Sequence, residues 1–401
     1  MADIFNKING FTAAKEAIEL GIYPYFRALS DSEGVTATFE GKDVVMLGSN
    51  NYLGLTTDAR VRQAATDALH RYGTSVTGSR FLNGTLELHN ELEKRLARYV
   101  NKEAALVFST GYQTNVGTIS ALVGKGDYAI LDKDAHACVV DGVMMSRGEM
   151  KRFKHNDVRD LERVLSKLPA DAGKIVVVDG VYSMGGDIAP LPDIITVCQQ
   201  YNARLMVDDA HGIGVMGQGR GTAAHFGLAD QVDLIMGTFS KSFASIGGFI
   251  AGDADVIHYI QHHARSLIFS AALPAPSTAA VAKALEIMET EPEHVQRLWH
   301  NADYMREQLM NLGYNIGNSR TPIIPIIIGE EYLTAMTWGA LIEAGVYTNP
   351  VIPPAAPVGS SLLRTSYTAT HTHAHLDRAL IAFKQVGENL DLISPAPTET
   401  V

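Results

Sequence analysis

Cysteine is scarce in this chain, which has only Cys138 and Cys198 among its 401 residues. Two cysteines without metal-ligand spacing exclude a disulfide framework, so we expect a reducing, cytoplasmic compartment and two small buried side chains. Long apolar runs are also missing, since no stretch reaches the roughly 18 residues that indicate a membrane span. The first 20 residues, MADIFNKINGFTAAKEAIEL, lack the apolar core of a signal peptide.

Basic residues are too few to balance the acidic ones, and the formal net charge is -11 at pH 7. A nucleic-acid-binding surface is basic because it neutralises phosphates, so no nucleic-acid partner is expected. Hydrophobic residues make up 46% of the chain and charged residues 19%, which is typical of a soluble globular protein with a substantial core. At this length we expect one large domain and a smaller one.

Apolar runs typical of buried strands alternate with helical patterns through most of the chain. Residues 8–28 are expected to be helical, and residues 35–47 to form a hairpin around Gly41 and Lys42. Further strands are predicted at 105–108, 128–131, 175–179, 205–209 and 233–237, with helices such as 86–100 and 157–168 between them. Continuous apolar strands that alternate with helices predict an α/β fold with a mostly parallel sheet covered on both faces.

A second unit is expected to begin near residue 290. It opens with a long helix, adds a strand at 323–328, and closes with a helix over about 373–388 that has Thr372 as its N-cap. We therefore predict three segments: an N-terminal segment, a large domain and a C-terminal small domain, over residues 1–55, 56–290 and 291–401. The tail SPAPTETV is rich in proline and threonine and is expected to be disordered.

Three polar segments directly follow apolar strands, where a parallel sheet places its active site. Residues 208–211 (DDAH) close one strand, residues 237–242 (GTFSKS) follow the next, and residues 109–112 (STGY) follow the strand at 105–108. Because the carboxyl ends of parallel strands meet at one edge of the sheet, these segments are expected to lie together.

Lys241 carries the sharpest chemical signal of the three segments. A lysine after a buried strand can form an imine with a carbonyl cofactor if its pKa is lowered. The hydroxyls and glycines beside it can hold a phosphate. Asp208 can pair with a pyridinium nitrogen, and His211 can reach the phenolic oxygen of the same ring. A surface lysine in a polar loop is the alternative that Lys241 alone would leave open.

A dinucleotide-binding motif competes for part of the same region. Residues 212–217 (GIGVMG) match the pattern G-x-G-x-x-G after a strand. In a dinucleotide-binding fold a helix begins inside this motif, whereas the continuation GQGRGTAAHFG is poor helix material. Asp233 also begins a strand, although the acidic residue of that fold ends one. We therefore disfavour this reading.

His136 and the histidines at 371, 373 and 375 have both a functional and an ordinary structural interpretation. His136 follows the strand at 128–131 and is either a polar loop residue or a ring that stacks on a planar cofactor. His371, His373 and His375 resemble a metal cluster, but they lie at an expected helix start, where helical spacing separates them. We expect a solvated helix start there, and no metal.

At these residues the chain resembles the α-oxoamine synthases, a family of fold-type I enzymes that depend on pyridoxal 5'-phosphate. The resemblance runs from about residue 10 to 393 and rests on seven blocks in order: SNNYLGL (49–55), GTSVTGSRFLNGT (73–85), FSTGYQTN (108–115), DGVYSMGGDIAPL (179–191), VDDAHGIGVMG (207–217), GTFSKSFASIGGF (237–249) and RTSYTATHT (364–372). It implies a large domain with a mostly parallel seven-stranded sheet and a smaller α+β C-terminal domain.

The resemblance also implies a role for each matching residue. Lys241 would hold the cofactor as a Schiff base and act as the base for the α-proton of the amino acid. The other implied cofactor contacts are Asp208 at the pyridine nitrogen, His211 at the phenolic oxygen, His136 stacked on the ring, Ser183 in the pocket, and Gly111, Tyr112, Thr238 and Ser240 at the phosphate. Arg364 would hold the amino-acid carboxylate with help from Asn50. The family works as a homodimer, in which Ser270 would reach the partner's phosphate.

The family joins an amino acid to an acyl thioester with loss of CO2, and the blocks favour one branch. The run GTFSKSFASIGGF, with GSRFLNGT and TNPVIPPAAP (348–357), is most similar to the branch that uses L-serine and palmitoyl-CoA at the start of sphingolipid biosynthesis. Tyr367 departs from the family pattern, because relatives also carry other residues at this position. The branches that use glycine with acetyl-CoA, or alanine with another acyl thioester, remain as alternatives.

Two other classes of protein remain as alternatives to this enzyme. A nicotinamide-dependent oxidoreductase would use the turn at 212–217, and a non-catalytic binding subunit would be a relative that has lost its lysine. The presence of Lys241 disfavours the second. Peripheral contact with a membrane stays open, although no amphipathic basic helix favours it.

Overall fold

The computed structural model describes residues 3–32, 34–353 and 355–394. The chain begins with a 3-10 helix over Ile4–Gly10 and the short helix α1 over Ala13–Glu19. The helix predicted over residues 8–28 is therefore wrong in length. Gly21 has a positive φ of 71°, and Pro24 has no backbone N–H, so the helix cannot continue through them.

The predicted hairpin around Gly41 is confirmed. Strands β1 (Leu29–Ser32), β2 (Thr36–Phe39) and β3 (Lys42–Met46) are antiparallel, and Phe39 pairs with Lys42. Glu40 and Gly41 both have positive φ angles, of 50° and 78°, as a two-residue hairpin turn requires. On its other side β3 pairs in parallel with a strand from the far end of the chain, β12 (Val346–Tyr347).

The predicted mostly parallel sheet is present with seven strands. They are β4 (Ala104–Phe108), β5 (Tyr128–Asp132), β6 (Glu149–Phe153), β7 (Lys174–Asp179), β8 (Arg204–Asp208), β9 (Leu234–Thr238) and β10 (Gly248–Gly252). The spatial order is β4-β10-β9-β8-β7-β5-β6. Among these seven strands, β10 runs in the direction opposite to the other six. Every residue of β7 is buried, as expected for a strand with helices on both faces.

Helices cover both faces of this sheet. They are α2 (Ala59–Tyr72), α3 (Glu87–Tyr99), α4 (Gly111–Leu122), α5 (Ala137–Met144), α6 (Val158–Leu165), α7 (Leu191–Gln200), α8 (Thr222–His225), α9 (Ala254–His263), α10 (Arg265–Ile268) and α11 (Ala275–Thr290). Alternate residues of β7 belong to different cores: Val176 and Val178 pack into one cluster, whereas Ile175 and Val177 pack into the other. The strand side chains thus hold two layers of helices against one sheet.

The C-terminal part builds a smaller antiparallel sheet and a third core. It contains α12 (Glu293–Asn311), β11 (Ile323–Gly329), α13 (Glu331–Glu343), β12, β13 (Asn349–Val351), β14 (Ser361–Ser366) and α14 (His373–Asn389), with the strand order β11-β14-β13. Thr372 caps α14 as predicted, since its side chain accepts a hydrogen bond from the backbone of His375. The same core includes Phe39 and Val44 of the N-terminal hairpin. The division into three segments stays a prediction.

Three smaller predictions can be compared with this fold. Cys138 and Cys198 are both free and buried, as expected. Within the described ranges, no helix is both long and apolar enough to cross a membrane. The predicted disorder of the tail SPAPTETV falls on residues that, from 395 onward, lie outside the described residues, as does Pro354 in the block at 348–357.

Candidate active site

Three neighbouring strands end in polar residues at the same edge of the large sheet. Asp179 ends β7, Asp208 ends β8 directly beside it, and Thr238 ends β9. The side chains of Asp179 and Asp208 are both buried, with exposures of 5% each. Parallel strands thereby bring together residues that are up to 59 positions apart in the sequence.

Most of the predicted site residues line one cavity at this edge. Its volume is about 260 Å³, close to the lower end of small-molecule sites at about 300 Å³. Eight predicted residues line it: Gly111, Tyr112, His136, Asp208, His211, Thr238, Ser240 and Lys241. Their convergence agrees with the prediction from the strand ends, while the role of each residue stays a prediction.

Lys241 lies in the loop that connects β9 to β10. Phe239 and Phe243 on either side of it are fully buried and anchor the loop in the core. The loop closes on itself through hydrogen bonds from the backbone of Ala244 to Lys241 (3.0 Å) and from Ser245 to Phe239 (2.9 Å). Burial disfavours the ammonium form and lowers the pKa of Lys241 to about 8, despite the opposing charge of Asp208. A lysine held in this way has a much larger neutral, nucleophilic fraction at physiological pH than an ordinary lysine.

Asp208 is oriented by a residue that the sequence analysis did not assign. Asn115, on α4, donates a hydrogen bond of 2.6 Å from Nδ2 to Oδ2 of Asp208. The backbone N–H of Ala210 donates to the other oxygen at 3.1 Å. Asp179 is the neighbour that faces it, and burial together with the charge of Asp208 raises the pKa of Asp179 well above its usual range. Asp208, whose two oxygens each accept a hydrogen bond from a fixed donor, is the carboxyl whose geometry suits a buried cation.

His211 is held by Tyr52, a second residue that was not assigned. The Tyr52 hydroxyl lies 2.7 Å from Nδ1 of His211, and both side chains are buried. Burial, reinforced by the positive charges of Lys241 and Arg364, lowers the pKa of His211 well below its usual range. If Tyr52 donates to Nδ1 of this neutral ring, the proton is on Nε2, which can then donate into the cavity.

Arg364 lies at the end of a network that leads away from the cavity. Its Nη2 donates to Oδ1 of Asn50 at 2.8 Å and to the Tyr52 hydroxyl at 3.3 Å. Its Nε donates to the backbone carbonyl of Ser183 at 2.5 Å. The guanidinium is 4% exposed although no carboxylate faces it in these contacts. Predicted residues from three distant segments thus meet at one fixed cation.

The start of α4, where phosphate contacts are predicted, lies at the cavity. Thr110 caps this 12-residue helix, and its first residue, Gly111, packs directly on the sheet. A Cβ at Gly111 would lie 2.6 Å from Oγ1 of Thr238, and a Cβ at Gly248 would lie 2.7 Å from Cα of Gly111. Glycine is therefore required at both positions for the helix N-terminus to reach the cavity. Helix N-termini bind phosphates through their free N–H groups and the helix dipole.

The remaining predicted residues lie around this centre. His136 is exposed, caps α5 and lines the cavity, and its Nδ1 accepts from the backbone of Cys138 at 3.2 Å. Tyr112 is 46% exposed and its hydroxyl donates to Asp141. Ser270 accepts a hydrogen bond of 2.9 Å from the side chain of Gln113, in the first turn of α4. The contact of Ser270 with a partner subunit stays a prediction.

The competing motifs have structural explanations. No helix begins at residues 212–216, where Gly212 makes room for the buried side chain of Asp209 and Gly214 makes room for Ser242. A Cβ at Gly212 would lie 1.9 Å from Oδ1 of Asp209, which also accepts a 2.6 Å bond from Thr222. His371 is buried, so the expected solvated helix start is wrong for that residue, because its ring bonds the backbone of Thr368 (3.1 Å) in the turn before α14. Tyr367 is also fully buried and bonds Thr365.

Sequence patterns did not identify three residues of the site, for different reasons in each case: Tyr52, Asn115 and Asp179. Asp179 ends an apolar strand as Asp208 does, and this shared signal could have identified it. Tyr52 lies within the block at 49–55, but its partners are 159 and 312 positions away. Asn115 lies in the middle of a helix, where an amide side chain carries no signal of its own.

Comparison with known proteins defines the class. The family model for aminotransferase class I and II matches residues 42–383. The chain belongs to this family, and its fold is that of the fold-type I pyridoxal-phosphate-dependent transferases.

Individual relatives are more specific. The serine palmitoyltransferase of Sphingobacterium spiritivorum is 48% identical over 97% of this chain and 98% of that protein. The 8-amino-7-oxononanoate synthase of Alkaliphilus oremlandii (strain OhILAs) is 42% identical over 94% of this chain and 96% of that protein. A solved variant of the serine palmitoyltransferase of S. paucimobilis, with a bound aldimine of pyridoxal phosphate and myriocin, superimposes with a TM-score of 0.95 at 37% identity, over 98% of this chain and 100% of that one.

Proposed function

We propose that this protein condenses L-serine with palmitoyl-CoA and releases CO2 and free CoA, to give the 2-amino ketone 3-ketodihydrosphingosine at the start of sphingolipid biosynthesis. It is a pyridoxal-phosphate-dependent acyltransferase. The observation that carries this proposal is the near full-length similarity to serine palmitoyltransferases, at 44–48% identity over 92–97% of the chain. The site contains the groups that such a reaction needs.

The residues of the cavity fit pyridoxal phosphate. A helix N-terminus with close-packed Gly111 suits the phosphate, and the buried carboxylate of Asp208 suits a protonated pyridine nitrogen. His211 can donate from Nε2 to the phenolic oxygen, and His136 lies at the cavity wall. When bound, the cofactor supplies an electron sink for the negative charge that develops at Cα of the amino acid.

The other residues prepare the amino acid for proton removal. Arg364 binds the carboxylate as a fork, and its bonds to Asn50 and Ser183 fix the direction of that fork. Lys241, once free of the cofactor, takes the proton from Cα, since a pKa of about 8 leaves a useful fraction of neutral amine at physiological pH. Cα then attacks the thioester carbonyl and the C–S bond breaks, so that CoA leaves as its thiolate and takes a proton from solvent. The carboxylate leaves as CO2, and Lys241 returns its proton to Cα, which completes the 2-amino ketone.

A second candidate has an observation in its favour, namely the 42% identity to an 8-amino-7-oxononanoate synthase. The test is a matrix of L-serine, L-alanine and glycine, each with palmitoyl-CoA, pimeloyl-CoA and acetyl-CoA, with CoA release as the readout. We expect serine with palmitoyl-CoA to give the highest kcat/KM. A maximum for alanine with pimeloyl-CoA, or for glycine with acetyl-CoA, would replace the proposal.

We also propose a cytoplasmic homodimer with shared active sites. Large apolar side chains that are exposed in the single chain favour a partner: Phe81 57%, Leu82 77%, Met144 73%, Met145 69% and Phe269 74%. Sedimentation velocity should give twice the mass of 43.3 kDa, and a monomer at micromolar concentration would contradict the dimer. Peripheral contact with a membrane during product release is compatible with this arrangement.

A further inference from the structure

His155 bridges two carboxylates outside the cofactor cavity. It follows β6, and its Nδ1 lies 3.0 Å from Oδ1 of Asp132, the last residue of β5. Its Nε2 lies 2.5 Å from Oδ2 of Asp187. The Asp132 side chain is fully buried, whereas those of His155 and Asp187 are 24% and 28% exposed. One imidazole therefore joins the end of a core strand to a loop residue 55 positions further along the chain.

The ring must carry a positive charge to make both contacts. Each nitrogen faces a carboxylate oxygen, so each has to donate a proton. Burial opposes this charge, but the bonds to Asp132 and Asp187 raise the pKa of His155 to about 10. Asp134 adds a third carboxylate at 3.7 Å, and with Asp132 and His155 it forms a group that could hold a metal ion. Because both ring nitrogens are already bonded, the arrangement is satisfied as an ion bridge.

Asp187 belongs to a compact turn over residues 181–188. Val181 pairs with Ile188 across its base, and the backbone of Tyr182 donates to the carbonyl of Asp187 at 3.0 Å. The Tyr182 ring meets the His155 ring edge to face with centroids 4.4 Å apart. His155 therefore holds this turn both through its charge and through packing.

Asn156 reinforces the same hold. Its side-chain amide donates to Oδ2 of Asp187 at 2.9 Å and to the carbonyl of Ile188 at 3.3 Å. Its backbone N–H donates to the second oxygen of Asp132 at 2.9 Å. Both carboxylates of the bridge are thus fixed by more than one donor.

The opposite side of the turn contacts the substrate-binding arginine. The Ser183 carbonyl accepts the bond from Nε of Arg364, and the carbonyl of Gly186 accepts from Oγ1 of Thr321 at 2.9 Å. Arg364 is on β14, in the smaller sheet, whereas Asp132 ends β5 of the large sheet and His155 follows β6. The 181–188 turn therefore connects the two sheets.

We propose that His155 is a positioning residue for the amino-acid carboxylate: its bridge to Asp132 and Asp187 fixes the 181–188 turn, and the Ser183 carbonyl then sets the direction of the Arg364 guanidinium. This inference rests on the proposed function, because it assigns the orienting of an amino acid to Arg364. A guanidinium binds a carboxylate through two hydrogen bonds only if its N–H groups point at both oxygens. Small shifts of the residues that orient it therefore weaken substrate binding and leave the positions of the reacting atoms unchanged.

The test measures the KM of each substrate and the melting temperature of the holoenzyme for His155→Gln and Asp187→Asn. We expect each change to raise the KM of the amino acid about tenfold, while the KM of the acyl-CoA stays within about twofold. In an Arg364→Lys background the same changes should raise that KM by less than about twofold, because the fork they orient is gone. His89→Gln is the control, since this buried histidine bonds the backbone of Leu86 and Leu273, outside the 181–188 turn and the bonds of Arg364, and should lower the melting temperature alone.

Two results would overturn the inference. One is an unchanged amino-acid KM in both variants despite a lower melting temperature, and the other is the same rise in KM with or without Arg364. If His155→Gln does not fold, Asp187→Asn decides, because it keeps the shape of the turn. If Arg364→Lys alone leaves the amino-acid KM unchanged, the result would instead contradict the proposed role of Arg364 in binding the amino-acid carboxylate.

Discussion

A buried lysine lies at the N-terminal ends of the strands of the large sheet, and another lies at their C-terminal ends. The two lysines differ in their hydrogen-bond partners. At the N-terminal end, Lys174 begins β7 and is 7% exposed. Its Nζ donates to three backbone carbonyls, of Pro169 (3.3 Å), Ala170 (3.2 Å) and Ala172 (2.8 Å). At the C-terminal end, Lys241 donates no hydrogen bond to any described residue, and it lines a cavity together with Asp208 and Asp179.

Cavity size does not distinguish these two ends. A cavity of about 290 Å³ lies at the N-terminal end, beside Lys174, Asp127 and Arg204, and one of about 260 Å³ lies at the site. The difference is chemical. Three carbonyls satisfy the donors of Lys174 and hold its Nζ in place, whereas burial without such partners lowers the pKa of Lys241. Lys174 therefore serves structure, and Lys241 is free to react.

The largest effect is expected for Lys241→Ala, which should abolish turnover and the visible absorbance of lysine-bound pyridoxal phosphate. The imine nitrogen and the base for the α-proton would both be lost. Steady-state kinetics and absorbance spectra check this, with Lys174→Ala as a control that should keep both. Turnover by Lys241→Ala would end the contrast between the two lysines.

Asp208→Asn should lower kcat roughly a hundredfold or more while part of the cofactor stays bound. An amide cannot hold a pyridine nitrogen in its protonated form as a carboxylate does. Cofactor content after dialysis separates lost binding from lost catalysis. Near-normal turnover would remove Asp208 from its assigned role.

Lys241→Met should stabilise the cofactor-free protein at pH 7 by up to about 3 kcal/mol. Burial lowers the pKa of Lys241 to about 8 from its ordinary 10.5, whereas the unfolded chain keeps the ordinary value. The native protein therefore carries the full penalty below pH 8, and the penalty decreases to zero as the pH rises to 10.5. Denaturant unfolding of both proteins at pH 7 and 9.5 measures the difference, which should shrink at the higher pH.

Lys174→Met should show the opposite sign and a smaller size, a loss of about 1–2 kcal/mol of stability with unchanged KM values. The three carbonyls would lose their common donor, and nothing at the active site would change. A matched denaturant experiment at pH 7 checks this. Stabilisation by Lys174→Met would mean that its three carbonyl bonds do not compensate for burial.

Much of the fold was accessible from sequence patterns, because apolar strands and amphipathic helices are local signals. The strands at 128–132, 174–179 and 204–208 and the N-cap at Thr372 are of this kind. The strand β10 was missed, since its first residue, Gly248, weakens the strand signal. That glycine is required by the close approach of Gly111, which is a tertiary constraint.

The residues of the active site also include some that local sequence patterns predict and some that they do not. Lys241, Asp208 and His211 could be predicted because each lies at or just after the end of a strand, and the topology of a parallel sheet then brings strand ends together. Tyr52 and the bridge of His155 could not, because their partners lie on other elements and no local pattern encodes those contacts.

The sequence by itself determined that a lysine flanked by glycines and hydroxyls, Lys241, follows an apolar strand, and that seven blocks are similar to one enzyme family. The tertiary structure alone decided which of two buried lysines is left without fixed partners and which residues aim Arg364. The physical reason is that pKa and side-chain direction depend on burial and on neighbours in space, which the order of residues along the chain does not specify.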